Sequence, residues 1–350
     1  MPCTIVVGGQ YGSEGKGKVV ALQAGALDSP WVVRCGGPNS GHTVTIGGRE
    51  KVLRQVPAGA RHPQATLLLA AGCVVDEAVL LRELADLQIP PERMIVDPRA
   101  VLVEEADRQQ EQGLVATIGS TSSGTGLALA RRMARSGHVR FIGDSKTLRD
   151  RIRVETVAPL IHSQLAADGD VIVEGTQGFG LSLLHAPDYP FVTSRDTTAA
   201  GFAMEVGLSP RQIDFVVMVI RTFPIRVGGH SGPLAREITW ERVREIGKAP
   251  FATEEYTSVT GRLRRVGVFD IELVKTACRY NQPTSLAIMG LDRLDYNNCN
   301  VTESSRLSSK ACAFVEFVEA ETGVQVELGG TGFATDQATI IKPRVGVSHV

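Results

Sequence analysis

A glycine-rich turn with two lysines, Gly8-Gly9-Gln10-Tyr11-Gly12-Ser13-Glu14-Gly15-Lys16-Gly17-Lys18, carries the residue types that hold a phosphate. The apolar run Thr4-Ile5-Val6-Val7 precedes it, and a helical pattern over residues 16–26 follows. Strand, turn and helix in that order present backbone N–H groups and a positive helix end to an anion. Gly12, Gly15 and Gly17 let the main chain approach without Cβ interference, and Lys16 adds a point charge. The stretch is not a Walker loop, which reads G-x-x-x-x-G-K-[ST]. Gly17 stands where the hydroxyl residue should follow Lys16, and Gln10 where the first glycine should be. A strand-to-helix turn with surface lysines is the plain alternative.

Further loops share this character. Cys35-Gly36-Gly37-Pro38-Asn39-Ser40-Gly41-His42-Thr43 follows a short β-type run at 31–34. Residues 118–126 are rich in glycine and hydroxyls ahead of a basic helical segment at 127–135, which reads as a phosphate seat or as a flexible linker. Thr260, Gly261, Arg262, Arg264 and Arg265 form a compact basic loop. Guanidinium groups there suit a carboxylate in bidentate fashion, the alternative being a solvated charge run. Gly329-Gly330-Thr331-Gly332 closes a late strand. Several such loops in one chain point to a site for more than one phosphorylated or anionic ligand.

The elements that must position these loops alternate along the chain. Strand patterns occupy 31–34, 52–56, 65–71, 94–96, 170–174, 215–222, 285–289 and 324–328. Helical patterns cover 76–87 with Asp76 as cap, 104–112, 127–135, 238–248, 269–280 and 311–321, the last closed by Gly323. This alternation predicts one α/β domain over residues 1–350, built on a single large, mostly parallel sheet with a P-loop-like turn. Functional loops belong at the C-terminal ends of its strands. No internal repeat or low-complexity segment interrupts it.

Composition narrows the class. Hydrophobic residues make up 43% of the 350, enough for a sizeable core. A net charge of −1 and 5% aromatics argue against a nucleic-acid partner. The six cysteines (Cys3, Cys35, Cys73, Cys278, Cys299, Cys312) lack zinc-site spacing and are expected as reduced thiols. With no signal peptide and no apolar run of ~18 residues, a soluble cytoplasmic protein without a membrane partner is expected.

The segments GQYGSEGKGK, GGPNSGHT, VPAG, EGTQG, YPFVTSRDTTA, TGRLRRVG and GLDRLD, in this order over nearly the whole chain, resemble adenylosuccinate synthetase. The resemblance implies a ligase that joins L-aspartate to a purine 6-oxo nucleoside monophosphate, using a nucleoside triphosphate and Mg2+. The 6-oxygen is phosphorylated first, and the aspartate amine then displaces phosphate. It also implies roles. Lys16 neutralises the transferred phosphoryl group, His42 is the acid on the 6-oxygen, and Gln177 is an amide donor to charge at the 6-position. Gly15, Lys16, Gly17, Thr43, Asp292, Gly330, Thr331 and Gly332 surround the triphosphate, with Asp292 reading its base. Asn39, Thr121, Gln177 and Thr193 surround the monophosphate, as does Arg135, supplied across a homodimer interface. Thr260, Arg262 and Arg264 take the aspartate, and Ser13 and Gly41 stand at the metal position.

Two departures from the family pattern stand out. Ser13 replaces the Asp that removes the N1 proton and helps hold magnesium, and Gly290 replaces the Lys of a K-L-D motif beside the donor's guanine. Three readings of Ser13 follow: a nucleotide-binding homologue without turnover, an ordinary enzyme acting on IMP with GTP, or a fit to a different purine. A carboxylate crowds an exocyclic 2-amino group, whereas a serine hydroxyl is shorter and accepts a hydrogen bond from it. That third reading resembles a phage-borne branch making N6-succino-2-amino-2′-deoxyadenylate from dGMP. The loss of lysine at 290 leaves ATP, dATP and GTP all open as donors.

Overall fold

The computed structural model describes residues 2–135, 137–257 and 261–343. Within them ten strands build one sheet: β1 (Cys3–Gly8), β2 (Trp31–Arg34), β3 (Thr66–Leu69), β4 (Met94–Val96), β5 (Arg153–Val154), β6 (Val171–Glu174), β7 (Phe215–Arg221), β8 (Ser285–Met289), β9 (Val326–Gly330) and β10 (Ala338–Ile340). Their order is β10-β9-β8-β7-β1-β6-β2-β3-β4-β5. Every pairing is parallel except β9 with β10.

Strand β1 is wholly buried and lies between two strands distant in sequence. Val6 pairs with Glu174 of β6 and Gly8 with Val219 of β7. The chain runs out from β1 through β2 to β5, returns to insert β6, then extends the other way through β7. This reversal opens a crevice beyond the C-terminal ends of β1, β6 and β7, where open α/β sheets take their ligands. The period-two alternation of strand side chains divides β1 between two cores. Ile5 and Val7 join Phe202 and Val274 in one. Val6 meets Val19, Val20 and Ala24 of α1 (Lys16–Gly25) in the other. Helices pack on both faces of the sheet, which is why its central strands are apolar on both sides.

Helix α1 begins at Gly15, whose φ of 99° needs glycine and whose missing side chain leaves the first-turn amides uncapped. Asp76 does cap the next helix, Glu77–Asp86, accepting from the Val79 amide at 3.1 Å. All six cysteines are free thiols. No helix among the described residues is long and apolar enough to cross a membrane.

Four local expectations are corrected. The strand anticipated at 52–56 lies at Arg49–Leu53, paired with His42–Ile46 in a hairpin turning at Gly47 and Gly48. Its downstream residues are taken by Glu83, whose carboxylate accepts the Arg54, Gln55 and Val56 amides at 2.7, 3.0 and 2.9 Å. The basic helix is Thr125–Met133, so Arg135 falls beyond its end. Gly330 belongs to β9 rather than to the loop after it. Edge strands β5 and β10, two and three residues long, were not foreseen, because runs so short show no periodicity.

Glu83 closes three backbone donors that have no strand partner. Glu83→Ala is expected to lower stability by about 1–3 kcal/mol, the cost of buried unsatisfied amides. A denaturant midpoint equal to wild type would show that those amides do not depend on it.

Candidate active site

The glycine-rich turn is shaped by a buried carboxylate. Glu14, 1% exposed, folds back to accept the Gly12 and Gln10 amides at 2.8 and 3.1 Å. Its other oxygen holds the Lys16 ammonium at 2.7 Å, and Lys16 also donates to the Gln177 carbonyl. Lys16 is therefore paired within its own turn and to the loop after β6. Both departures from the Walker pattern have causes in the packing around the turn, one steric and one a pair of hydrogen bonds. A Cβ at position 17 would lie 2.6 Å from the His42 Cβ, so the hydroxyl residue is excluded by the histidine. Gln10 exchanges two hydrogen bonds with the Arg221 backbone, at 3.0 and 3.1 Å, pinning the turn to the end of β7.

His42 is held by Glu174, the last residue of β6 and 0% exposed. The His42 Nδ1 lies 2.5 Å from Glu174 Oε1. The same oxygen accepts from Arg34 at 2.7 Å, and the second oxygen accepts the Ala58 amide at 2.6 Å. Burial alone would raise the Glu174 pKa. Arg34, His42 and the Ala58 amide overcome it and hold the group below the usual carboxylate range. An ionised Glu174 accepts from Nδ1–H, so in the neutral ring Nε2 is left as the free nitrogen. Burial and the nearby Arg34 charge push the His42 pKa down to about 4, against the opposing pull of Glu174.

Two clefts meet at this point. The outer one, about 300 Å3, is lined by Gly15, Lys16, Gly17, Lys18, Thr43, Asp292, Arg293, Gly332 and Phe333. The inner one, about 80 Å3, is lined by Tyr11, Gly12, Asn39, Thr121, Gln177, Leu181, Ile225 and Arg226 among others. Ser13, Gly41, His42 and Arg264 line both. Ser13 is exposed, with φ of 57°, and its carbonyl accepts from Arg221 at 3.2 Å. Arg221 is paired with Glu255 at 2.6 Å, and Arg264 reaches the same carboxylate at 3.4 Å. In the inner cleft the Arg226 guanidinium stacks 4.1 Å from the Tyr11 ring centroid and pairs with Asp188 at 2.8 Å.

The fold thus gathers most of the residues singled out from the sequence and leaves some outside. Arg135 is exposed and lines neither cleft, and neither does Thr193, whose amide bonds to Leu181 O at 2.8 Å. Arg262 is exposed beside the inner cleft's Thr257, which its amide meets at 2.9 Å. Thr260 lies outside the described residues. Thr331 points inward, 0% exposed, with its hydroxyl on the Val301 carbonyl at 2.8 Å, and Gly330 packs against Met289. Arg265 is a loop clamp: it pairs with Glu237 at 2.6 Å and donates to Gly232 O at 2.7 Å. Sequence reasoning missed Glu14, Glu174, Arg34 and Glu255. Glu174 sits in the quoted EGTQG run and Glu14 in the glycine-rich turn, but nothing local marks either as a buried charge.

No group of three or more His, Cys, Asp or Glu side chains converges among the described residues. Ser13 and Gly41 contribute neutral oxygens, while Glu14 is committed within its turn. That donor set fits magnesium in the manner usual with nucleotides, where few protein ligands are completed by phosphate oxygens and water.

Free His42 is expected to titrate at about 4 and to be neutral at pH 7. The unfolded ring titrates at 6.5, so the unfolded chain binds the extra proton between these values. The stability contributed by the neutral buried ring is present above pH 6.5 and is lost as pH falls toward about 4. An NMR titration placing His42 at or above 6.5 in the ligand-free protein would contradict the geometry.

The family model described as adenylosuccinate synthetase matches residues 5–154 and 141–302. The adenylosuccinate synthetase of Methanocaldococcus jannaschii is 41% identical over 340 residues, spanning 95% of this chain and 94% of that protein. That of Pyrococcus horikoshii is 40% identical over 339 residues, spanning 95% and 96%. Among solved structures, fully ligated adenylosuccinate synthetase from Plasmodium falciparum shares the fold at a TM-score of 0.84 and 19% identity, over 97% of this chain and 99% of that one. The succinoaminodeoxyadenylate synthetase of cyanophage S-2L, bound to dGMP and to dATP as energy donor, aligns at a TM-score of 0.82 and 27% identity, over 98% and 96%. With the family model spanning most of its length and relatives about 40% identical over nearly the whole of both chains, the chain belongs to the adenylosuccinate synthetase family, carbon–nitrogen ligases that act on a purine nucleotide and aspartate.

Proposed function

We propose that this ligase acts on dGMP, joining L-aspartate to its 6-position to give N6-succino-2-amino-2′-deoxyadenylate. The observation that carries this reading is the neutral Ser13 at the junction of the two clefts, where the family pattern has a carboxylate. The monophosphate occupies the inner cleft, with Asn39, Thr121 and Gln177 around it. The triphosphate's phosphates lie on the uncapped first turn of α1, beside Lys16. The γ-phosphoryl group passes to the purine 6-oxygen, breaking its bond to the bridging oxygen of the diphosphate, and the N1 proton is released to water. The aspartate amine then forms the bond to C6 and gives up one proton, and the 6-oxygen leaves as part of inorganic phosphate. Gln177 bonds the charge at the 6-position, and Arg264, with Arg262 and Thr260, takes the aspartate carboxylates. Ser13 and Gly41 would hold a magnesium ion, which when bound screens the phosphoryl charge. Arg135, exposed and outside both clefts, is available to the monophosphate of a second copy in a homodimer.

A second reading, adenylosuccinate formation from IMP, draws support from the 41% identity with an archaeal adenylosuccinate synthetase. Ser13→Asp discriminates between them. The substitution fills the room a 2-amino group needs, and misplacing reacting atoms by about 1 Å lowers rate by ~10²-fold. The ratio of kcat/KM for dGMP over IMP is expected to fall by roughly that factor. A ratio unchanged by the substitution would put the IMP reading first.

His42 supplies a second test. A ring with a pKa of about 4 cannot donate at pH 7, so the incoming phosphates must raise it before it can act as the acid. Binding of both nucleotides is expected to take up a proton near neutral pH, read as buffer-dependent heat in calorimetry and absent in His42→Asn. Equal heats in buffers of different ionisation enthalpy would remove His42 from the acid role.

A further inference from the structure

The outer cleft also carries an aromatic ring that no step above uses. Phe333 lines the cleft in the turn between β9 and β10 and is 61% exposed. The Arg293 guanidinium, itself 6% exposed, stands 4.9 Å from its centroid and covers one side of the ring. The turn is tied down on several sides. Lys18 donates to the carbonyls of Gly332 and Gln337, at 2.8 and 2.6 Å, bracketing Phe333. Thr335 and Thr45 exchange amide-to-hydroxyl bonds at 2.9 and 3.1 Å, and the Ala334 amide bonds the Gln337 side chain at 2.8 Å. A turn tied down on several sides therefore presents an exposed phenyl ring to the same cleft that the Gly15–Lys16 turn lines. A planar heteroaromatic group linked to phosphates has a partner for each of its parts there.

We propose that Phe333 is the stacking surface for the donor's purine base, backed by Arg293, and that it makes the site tolerant of base identity. An aromatic ring stacks on any base, because every base has a π-face. Gly290, in the same cleft, has no side chain with which to read the base edge. Affinity then comes from stacking that adenine and guanine share, and Asp292 is left as the group able to distinguish them. The assignment rests on the reading of the outer cleft as the triphosphate site.

The test compares wild type with Phe333→Ala, Phe333→Leu and Phe333→Trp. Titration with a fluorescent N-methylanthraniloyl ATP, displaced in turn by ATP, dATP and GTP, reads binding; steady-state turnover reads KM and kcat. Phe333→Ala and Phe333→Leu are expected to weaken all three donors by a similar factor, roughly 10–100-fold. Phe333→Trp should retain affinity, and the monophosphate KM should stay unchanged in every variant. Leucine binding as well as phenylalanine, or a loss confined to one base, would overturn the stacking role. Wild type that binds no triphosphate would instead defeat the reading of the cleft itself. Unaltered thermal unfolding of Phe333→Leu separates either result from misfolding.

Discussion

The site is organised by one buried charge, the Glu174 carboxylate at the end of β6. A fully buried carboxylate is tolerated only when its oxygens are saturated by donors and countercharge. Glu174 meets that demand with Arg34 from the end of β2, His42 from the hairpin and the amide of Ala58. Three loops from separate parts of the chain are thereby fastened at the crevice, and Arg34 extends the network to the Ser40 carbonyl at 2.8 Å. Removing the carboxylate would leave a guanidinium uncompensated in the interior, which is more costly than losing the pair itself. The histidine's orientation follows from a constraint on packing.

The same principle recurs around the crevice. Glu14 is matched by Lys16, and Glu255 by Arg221 and Arg264. The ligand-free site is thus close to internally neutral, despite its many cations. On the proposed function, phosphates entering the outer cleft compete with Glu14 for Lys16 and change the electrostatic balance that lowers the His42 pKa. Lys18 shows how finely this balance is drawn. Burial lowers its ammonium to about 8, although Asp292 and Asp336 oppose the shift. The ionisable groups lining this crevice are set by desolvation against countercharge.

Much was legible from local sequence. The strand–turn–helix order around Lys16, the Asp76 cap and the Gly323 stop depend on a few neighbouring residues, and each took the form that its residue types require. The apolar runs at 4–7, 215–222 and 285–289, read as strands, are β1, β7 and β8 of the central sheet. Where local preference was weak, the reading drifted. Residues 54–56 have strand-like neighbours, but a distant carboxylate took their amides.

What the sequence by itself determined was the chemistry available: a turn able to hold phosphate, a histidine in a glycine-rich loop, arginines suited to a carboxylate, and a neutral serine within the turn. Tertiary structure alone decided which of these share a space and in what state. Ser13, His42 and Arg264 meet because β6 inserts beside β1, a pairing across more than 160 residues. Thr331, expected around the triphosphate, turns its hydroxyl inward onto the Val301 carbonyl, while Phe333 two residues on is exposed on the cleft. Protonation was equally invisible, since the His42 pKa comes from burial and from Arg34, eight residues back in sequence but brought alongside by Glu174 from another strand. Backbone preference is encoded within a few residues, whereas desolvation and countercharge exist only once distant segments have packed.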